Sequence, residues 1–222
     1  MKVLLYGICQ QEVNIPFLGS GIRAVRGHGL MAVVSEVGEP TAAPSVSSLL
    51  AYEKVIDAIH ARHTVIPLRY GCLMESEEQI VQLLDDRRRE YEALLLRLHG
   101  MTEMGIRLLW PPPAVPPSSI AHSPGAAYLA SLRNRYNSQD TPAADEALLA
   151  DRIVALLDDW STEQRRELSL SHQGRLLSLY FLTPKRGAEE FRKLVRNIST
   201  PRAVKLLLSG PWPPYNFVAS TV

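Results

Sequence analysis

Few residues of this 222-residue chain stand at spacings that could do chemistry. His60 and His63 lie three apart in a segment with helical periodicity, and Cys72 follows closely. Together they have the donor types of a soft-metal site, but a structural zinc site takes a fourth ligand. Two histidines near a helix C-terminus are equally accounted for by the helix dipole. Asp85-Asp86 and Asp158-Asp159 are adjacent acids, and neighbours on a helix diverge by about 100°, so neither makes a two-carboxylate site. The chain has no G-x-G-x-x-G, no G-x-x-x-x-G-K-[ST] and no G-x-S-x-G. Gly19-Ser20-Gly21 is too short a match to count. These patterns predict no cofactor, no metal and no catalytic residue.

Two segments are harder to set aside. Arg69-Tyr70-Gly71 places a cation and an aromatic at a strand end beside a flexible glycine. That arrangement suits an anionic ligand or a partner's carboxylate. The alternative is that Arg69 pairs with an acid across the sheet while Tyr70 fills a gap. The second segment is Gly210-Pro211-Trp212-Pro213-Pro214-Tyr215-Asn216-Phe217. Its prolines exclude a helix and a central strand, while Trp212, Tyr215 and Phe217 carry much apolar area that must pack somewhere. It packs back on the chain or docks on another protein. Candidate partner contacts are therefore Arg69, Tyr70, Gly71, Trp212, Pro213, Pro214, Tyr215 and Phe217.

The elements that position these residues are legible from periodicity. Val3–Cys9, Ile22–Arg26 and Leu30–Val37 read as strands, the last two joined by the tight Gly27-His28-Gly29 segment. A proline-containing loop, Glu39–Ser48, supplies Ser45, Ser47 or Ser48 as cap for a helix with Leu49, Tyr52, Ile56 and Ile59 along one stripe. Thr64–Tyr70 reads as a strand in which Pro67 marks an edge or bulge. A second helix over Glu75–Leu98 carries Ile80, Leu84, Tyr91, Leu95 and Leu98, and Thr102–Trp110 returns as a strand. The order β-β-β-α-β-α-β predicts helices on one face of a mainly antiparallel sheet, a ferredoxin-like domain with an added strand.

Pro111–Pro117 holds five prolines in seven residues and reads as a stiff connector. The expected division is a domain over 1–110, a linker over 111–122 and an α+β domain over 123–222. The latter should contain helices at Ala126–Tyr136 and Ala143–Glu167, with Leu149, Ile153, Leu156 and Trp160 as a stripe. Arg175–Leu182, Lys185–Asn197 and Arg202–Leu208 then form a βαβ-like unit, with Thr183-Pro184 capping its helix.

Composition narrows the function classes. Lys+Arg 24 against Asp+Glu 23 leaves a net charge of +1, no global field for nucleic acid or an anionic membrane. The densest basic run, Arg87-Arg88-Arg89, is flanked by Asp85, Asp86 and Glu90 and reads as a solvated helix face. Cys9 and Cys72 are too few for a disulfide framework, which fits a reducing cytoplasm. The apolar stretch Val3–Ile8 is too short for a signal segment, and no run approaches a membrane span. The chain reads as a soluble, two-domain α+β protein that is not an enzyme.

Read in order, these same pieces resemble the gas vesicle protein family GvpF/GvpL. The resemblance rests on the opening K-V-L-L-Y-G-I, on Gly29–Val37, on Leu49–Ile56, on Thr64–Gly71, on Glu103–Arg107 and on Gly210–Phe217. It covers residues 2 to 217, and nothing is carried over for Ala114–Glu146. It implies an N-terminal modified ferredoxin-like domain and a C-terminal α+β domain. It further implies an accessory or minor structural protein of gas vesicles that assists assembly by binding the shell protein GvpA, with other gas vesicle accessory proteins as partners. No catalytic residues are implied. The competing expectation is a ligand-binding or catalytic protein that gathers Arg69, Tyr70, His60 and His63 around one pocket.

Overall fold

A computed structural model describes residues 2–10, 21–38, 45–111, 144–171 and 174–218. The first sheet starts with β1 (Lys2–Gln10), β2 (Ile22–Gly27) and β3 (Leu30–Val37), and β3 pairs antiparallel with both others. Two short strands, β4 (Ile66–Pro67) and β5 (Leu73–Met74), pair with β1, giving the order β2-β3-β1-β4. Pro67, which cannot donate, thus lies on the edge strand, as its chemistry requires.

A bulge at Tyr6 decides how β1 is used. Leu5 pairs with Val34 and Gly7 with Val33, so one residue is extra and the side-chain alternation is reset. Leu4 and Tyr6 before the bulge and Cys9 after it then share a face with Met31 and Val33. Gly7 is obligatory here. A Cβ on it would lie 2.6 Å from Val65 Cγ2 and 2.8 Å from the Ile66 carbonyl oxygen.

Helix α1 (Val46–His60) starts at Ser45, whose hydroxyl accepts from the Ser48 N–H at 3.1 Å. Its buried side chains Tyr52, Ile56 and Ile59 cover the Leu4/Tyr6 face. The opposite face carries Leu5, Ile8, Ala32 and Val34, all fully buried, under α2 (Glu77–Asp86) and α3 (Arg88–Arg97). Gly27, which points away from α1, would touch Val81 and Leu84 of α2 if it had a Cβ. Helices therefore cover both sheet faces, where the sequence predicted one. The predicted helix over Glu75–Leu98 is also two, broken at Arg87 with φ −109° and ψ 17°. Arg87 bridges the break by a two-pronged ion pair to Glu90 at 2.8 and 2.9 Å, and Arg88 pairs with Glu92.

The second sheet comprises β6 (Met101–Trp110), β7 (Glu163–Ser171), β8 (Gly174–Pro184) and β9 (Lys205–Trp212), ordered β7-β8-β6-β9. Helix α4 (Ala144–Leu157) lies between β6 and β7 in sequence, and α5 (Ala188–Arg196) between β8 and β9. The succession β6-α4-β7-β8-α5-β9 is the β-α-β-β-α-β order of ferredoxin-like folds. The sequence predicts a ferredoxin-like domain with an added strand, ordered β-β-β-α-β-α-β, in the first half, with β6 as its last strand. β6 instead joins the second sheet because Met104, Ile106 and Leu108 are buried among Leu149, Ile153, Leu177, Phe181 and Phe191. β8 and β9 flank β6, so the α5 crossover passes over one strand. The fold class is α+β, as expected.

Local departures have simple causes. The helix predicted to Glu167 stops at Leu157, followed by a 3-10 turn over Asp158–Trp160. The helix-favouring Glu163–Glu167 run is then drawn into β7 by pairing with β8, a tertiary override of propensity. Leu157 is fully buried and Leu156 exposed, so the apolar stripe runs through Leu157. Thr183 and Pro184 are the last two residues of β8, and α5 is preceded by a 3-10 turn over Lys185–Gly187 with no side-chain cap. The predicted helix Ala126–Tyr136 and most of the proline-rich linker lie outside the described residues.

By contacts the chain forms two units. One comprises Met1–Glu103, Leu182–Lys185 and Gly210–Val222, and the other Met104–Phe181 and Arg186–Ser209. The aromatic tail thus belongs to the first unit. Among the described residues no helix is long and apolar enough to cross a membrane.

Candidate functional site

The candidate site lies within the first unit and begins with a turn. The Cys72 N–H donates to the Arg69 carbonyl at 3.3 Å, closing a four-residue turn, Arg69–Cys72. Gly71 has φ +93°, the left-handed value that the third position of a type II turn demands. Either side, the turn is tied to β1: Leu68 N–H donates to the Tyr6 carbonyl and Leu5 N–H to the Cys72 carbonyl, both at 2.9 Å.

Aromatic packing fixes the turn from below. Tyr6 stacks on Tyr52 with centroids 4.7 Å apart, and Tyr70 meets Tyr52 edge-on at 5.2 Å. The Tyr52 hydroxyl lies 2.7 Å from the Leu5 carbonyl oxygen and 3.0 Å from that of Leu68, and donates between them. Burial pushes its phenol pKa well up, helped by the neighbouring tyrosines and Cys72. Tyr52 is a structural pin.

The tail supplies the opposite wall. Pro213, Pro214, Phe217 and Val218 are buried, and Tyr215 packs against the α1 side of the core. Glu103 clamps the tail by accepting from the Asn216 backbone N–H at 2.9 Å and from Asn216 Nδ2 at 2.6 Å. Arg97 donates to the Phe217 carbonyl at 2.6 Å. Between turn and tail lies a cavity of about 370 Å³, lined by Pro67–Cys72 with Tyr215 and Val218.

Of the eight candidate contacts, Arg69, Tyr70, Gly71 and Tyr215 meet at this cavity. Trp212 is exposed at 46% at the end of β9 and is not part of the lining. Pro213, Pro214 and Phe217 are core, which removes their side chains from reach of a partner. The Arg69 guanidinium is exposed and makes no ion pair among the described residues, so the acid expected across the sheet is not there. Tyr70 is 37% exposed. Cys72 is half-buried on the cavity wall, whereas Cys9 is fully buried and its thiol pushed up to about 12 by desolvation.

The histidines lie elsewhere. Thr102 Oγ1 donates to the Trp212 carbonyl at 3.0 Å and so accepts from His60 Nε2 at 3.3 Å. This leaves His60 Nδ1 as a buried acceptor without a partner among the described residues. Burial, then the Lys185 ammonium, lowers the His60 pKa to about 4. Lys185 Nζ donates to the His60 carbonyl and is itself held below its ordinary pKa by burial. Neither His60 nor His63 lines the cavity, so the four-residue pocket expected by the competing reading is not formed. Among the described residues no three His, Cys, Asp or Glu side chains are placed to share a metal ion. Sequence reasoning missed Pro67, Leu68 and Val218 as lining residues; the strand-end proline was the available signal.

The fold and the site define a two-unit α+β protein with an aromatic-walled cavity in its first unit. The family model described as gas vesicle synthesis protein GvpL/GvpF matches residues 2–219, and the chain belongs to that family. Gas vesicle protein L of Streptomyces sp. (strain CB03234) is 26% identical over 75% of this chain and 67% of its own. Gas vesicle protein F of the same strain is 23% identical over 98% of this chain and 100% of its own. The crystal structure of GvpF from Anabaena sp. PCC7120 matches with a TM-score of 0.73 at 20% identity, over 97% of this chain and 95% of that one. That of GvpF from Microcystis aeruginosa matches with a TM-score of 0.73 at 17% identity. At these identities the structures speak for the fold.

Proposed function

We propose that this chain is an accessory protein of gas vesicle assembly that binds the shell protein GvpA and limits its aggregation before incorporation. The family match over residues 2–219 carries the vesicle context. A gas-enclosing shell needs a strongly apolar face, and subunits awaiting assembly expose apolar patches large enough to aggregate. The cavity between the Arg69–Cys72 turn and the Tyr215–Val218 tail supports the binding role, because aromatic walls beside an available arginine are what interface hot spots are made of. Action without catalysis, in the cytoplasm and at the vesicle, alongside other vesicle proteins, completes the reading.

Co-expression of GvpA with and without this chain, followed by sedimentation and affinity capture, tests it. The expected result is more GvpA in the supernatant and its co-purification with the chain. Unchanged sedimentation together with no capture would overturn the proposal.

A further inference from the structure

We infer that the cavity at the Arg69–Cys72 turn takes a peptide segment of a partner in which an Asp or Glu adjoins a bulky apolar residue. The carboxylate pairs with Arg69, and the apolar side chain enters between Tyr70 and Tyr215. This deepens the proposed binding role and rests on it.

The argument is one of complementarity in charge and shape. Leu68, Tyr70, Tyr215 and Val218 give the cavity an apolar wall, and Arg69 is the cation on its lining. A guanidinium presents a rigid fork matched to a carboxylate, and each such charge-assisted pair is stronger than a neutral hydrogen bond. Arg69 has no internal carboxylate to displace among the described residues.

The neighbouring acids set the orientation. Glu53 and Asp57 of α1 lie on the Tyr215 side, where, after burial, they help to raise its phenol pKa. Asp57 is itself held above the usual carboxylate range by burial and by Glu53. An incoming carboxylate is therefore repelled from the Tyr215 end and drawn to the Arg69 end. A volume of about 370 Å³ holds two or three side chains rather than a folded surface. The turn is preformed, pinned through Tyr52 and Gly71, so little ordering opposes binding.

The test uses the full chain and blocked peptides of sequence Leu-Phe-Glu-Leu-Leu, with Gln and Lys counterparts at the acidic position. Amide chemical shifts should move for Leu68–Cys72 and Tyr215–Val218 on titration with the Glu peptide. The Gln and Lys peptides should bind about tenfold more weakly, the loss of one charge-assisted pair. Arg69→Glu, a change at an exposed position, should reverse the order in favour of the Lys peptide. Equal affinity for the Glu and Gln peptides, shifts confined to other residues, no binding at millimolar peptide, or an unchanged order in Arg69→Glu would each overturn the inference. The GvpA sedimentation experiment is run in parallel. Failure of the peptide arm with GvpA still held in the supernatant removes this site and leaves the assembly role. Peptide binding as expected with no effect on GvpA does the reverse.

Discussion

Arg69 and Lys185 are two cations of the same unit, and they have opposite fates. Arg69 sits exposed on a turn, and among the described residues no carboxylate pairs with it. Lys185 reaches inward to the His60 carbonyl, next to an imidazole that burial keeps neutral. An exposed cation is well solvated whether or not it is paired, so leaving it available is nearly free. A half-buried one has given up water and must be answered by an acceptor. Chemistry-bearing residue types are therefore informative about binding only where solvent still reaches them.

The sharpest way to break this comparison is pH. His60 has a folded pKa of about 4 against an ordinary 6.5, so the unfolded chain takes up the proton first. Its contribution is fully present above pH 6.5, is lost as pH falls through the window from 6.5 to about 4, and is then exhausted. The loss is on the order of 3 kcal/mol. Urea unfolding of wild type and of His60→Gln across that window isolates it from the carboxylates. A pH-independent difference between the two would show that His60 is not held neutral.

Next in size is Tyr52→Phe. It strips the shared donor from the Leu5 and Leu68 carbonyls in a buried site and should cost about 2 kcal/mol in chemical unfolding. It should also loosen the turn, seen as faster amide exchange at Cys72. Gly71→Ala meets no atom within 4 Å, so its cost is the left-handed backbone alone, about 1 kcal/mol. Arg69→Ala should be nearly silent, within about 0.5 kcal/mol, while abolishing the peptide preference. A large destabilisation there would mean that Arg69 is structural after all, and the contrast with Lys185 would collapse.

How far the sequence anticipated this depends on the range of the interactions. β3 was legible to the residue, because hairpin chemistry and alternation are local. The α1 stripe and a serine cap among Ser45, Ser47 and Ser48 were legible for the same reason, and Ser45 is the one used. The break at Arg87 was not, since neither proline nor glycine marks it and the Glu90 pair sustains it. The membership of β6 in the second sheet was invisible, as it depends on strands some 70 and 100 residues away in the chain. At the site, Arg69, Tyr70, Gly71 and Tyr215 were named from residue type. That they share one cavity, while Phe217 two residues from Tyr215 is core, follows from tail packing that no periodicity encodes.

The return of the tail to the first unit has a bearing on biosynthesis. The cavity wall formed by Tyr215 and Val218 and the Asn216–Glu103 clamp stand more than 100 residues apart in sequence from their partners. During translation, at roughly 5–20 residues per second, β1 to α3 emerge many seconds before residues 210–218 leave the ribosome. The cavity between turn and tail is thus completed late in the folding of the first unit. A nascent chain carries Arg69 without the wall that Tyr215 and Val218 supply, so under the proposed function a client meets the complete cavity only after residues 210–218 have folded back.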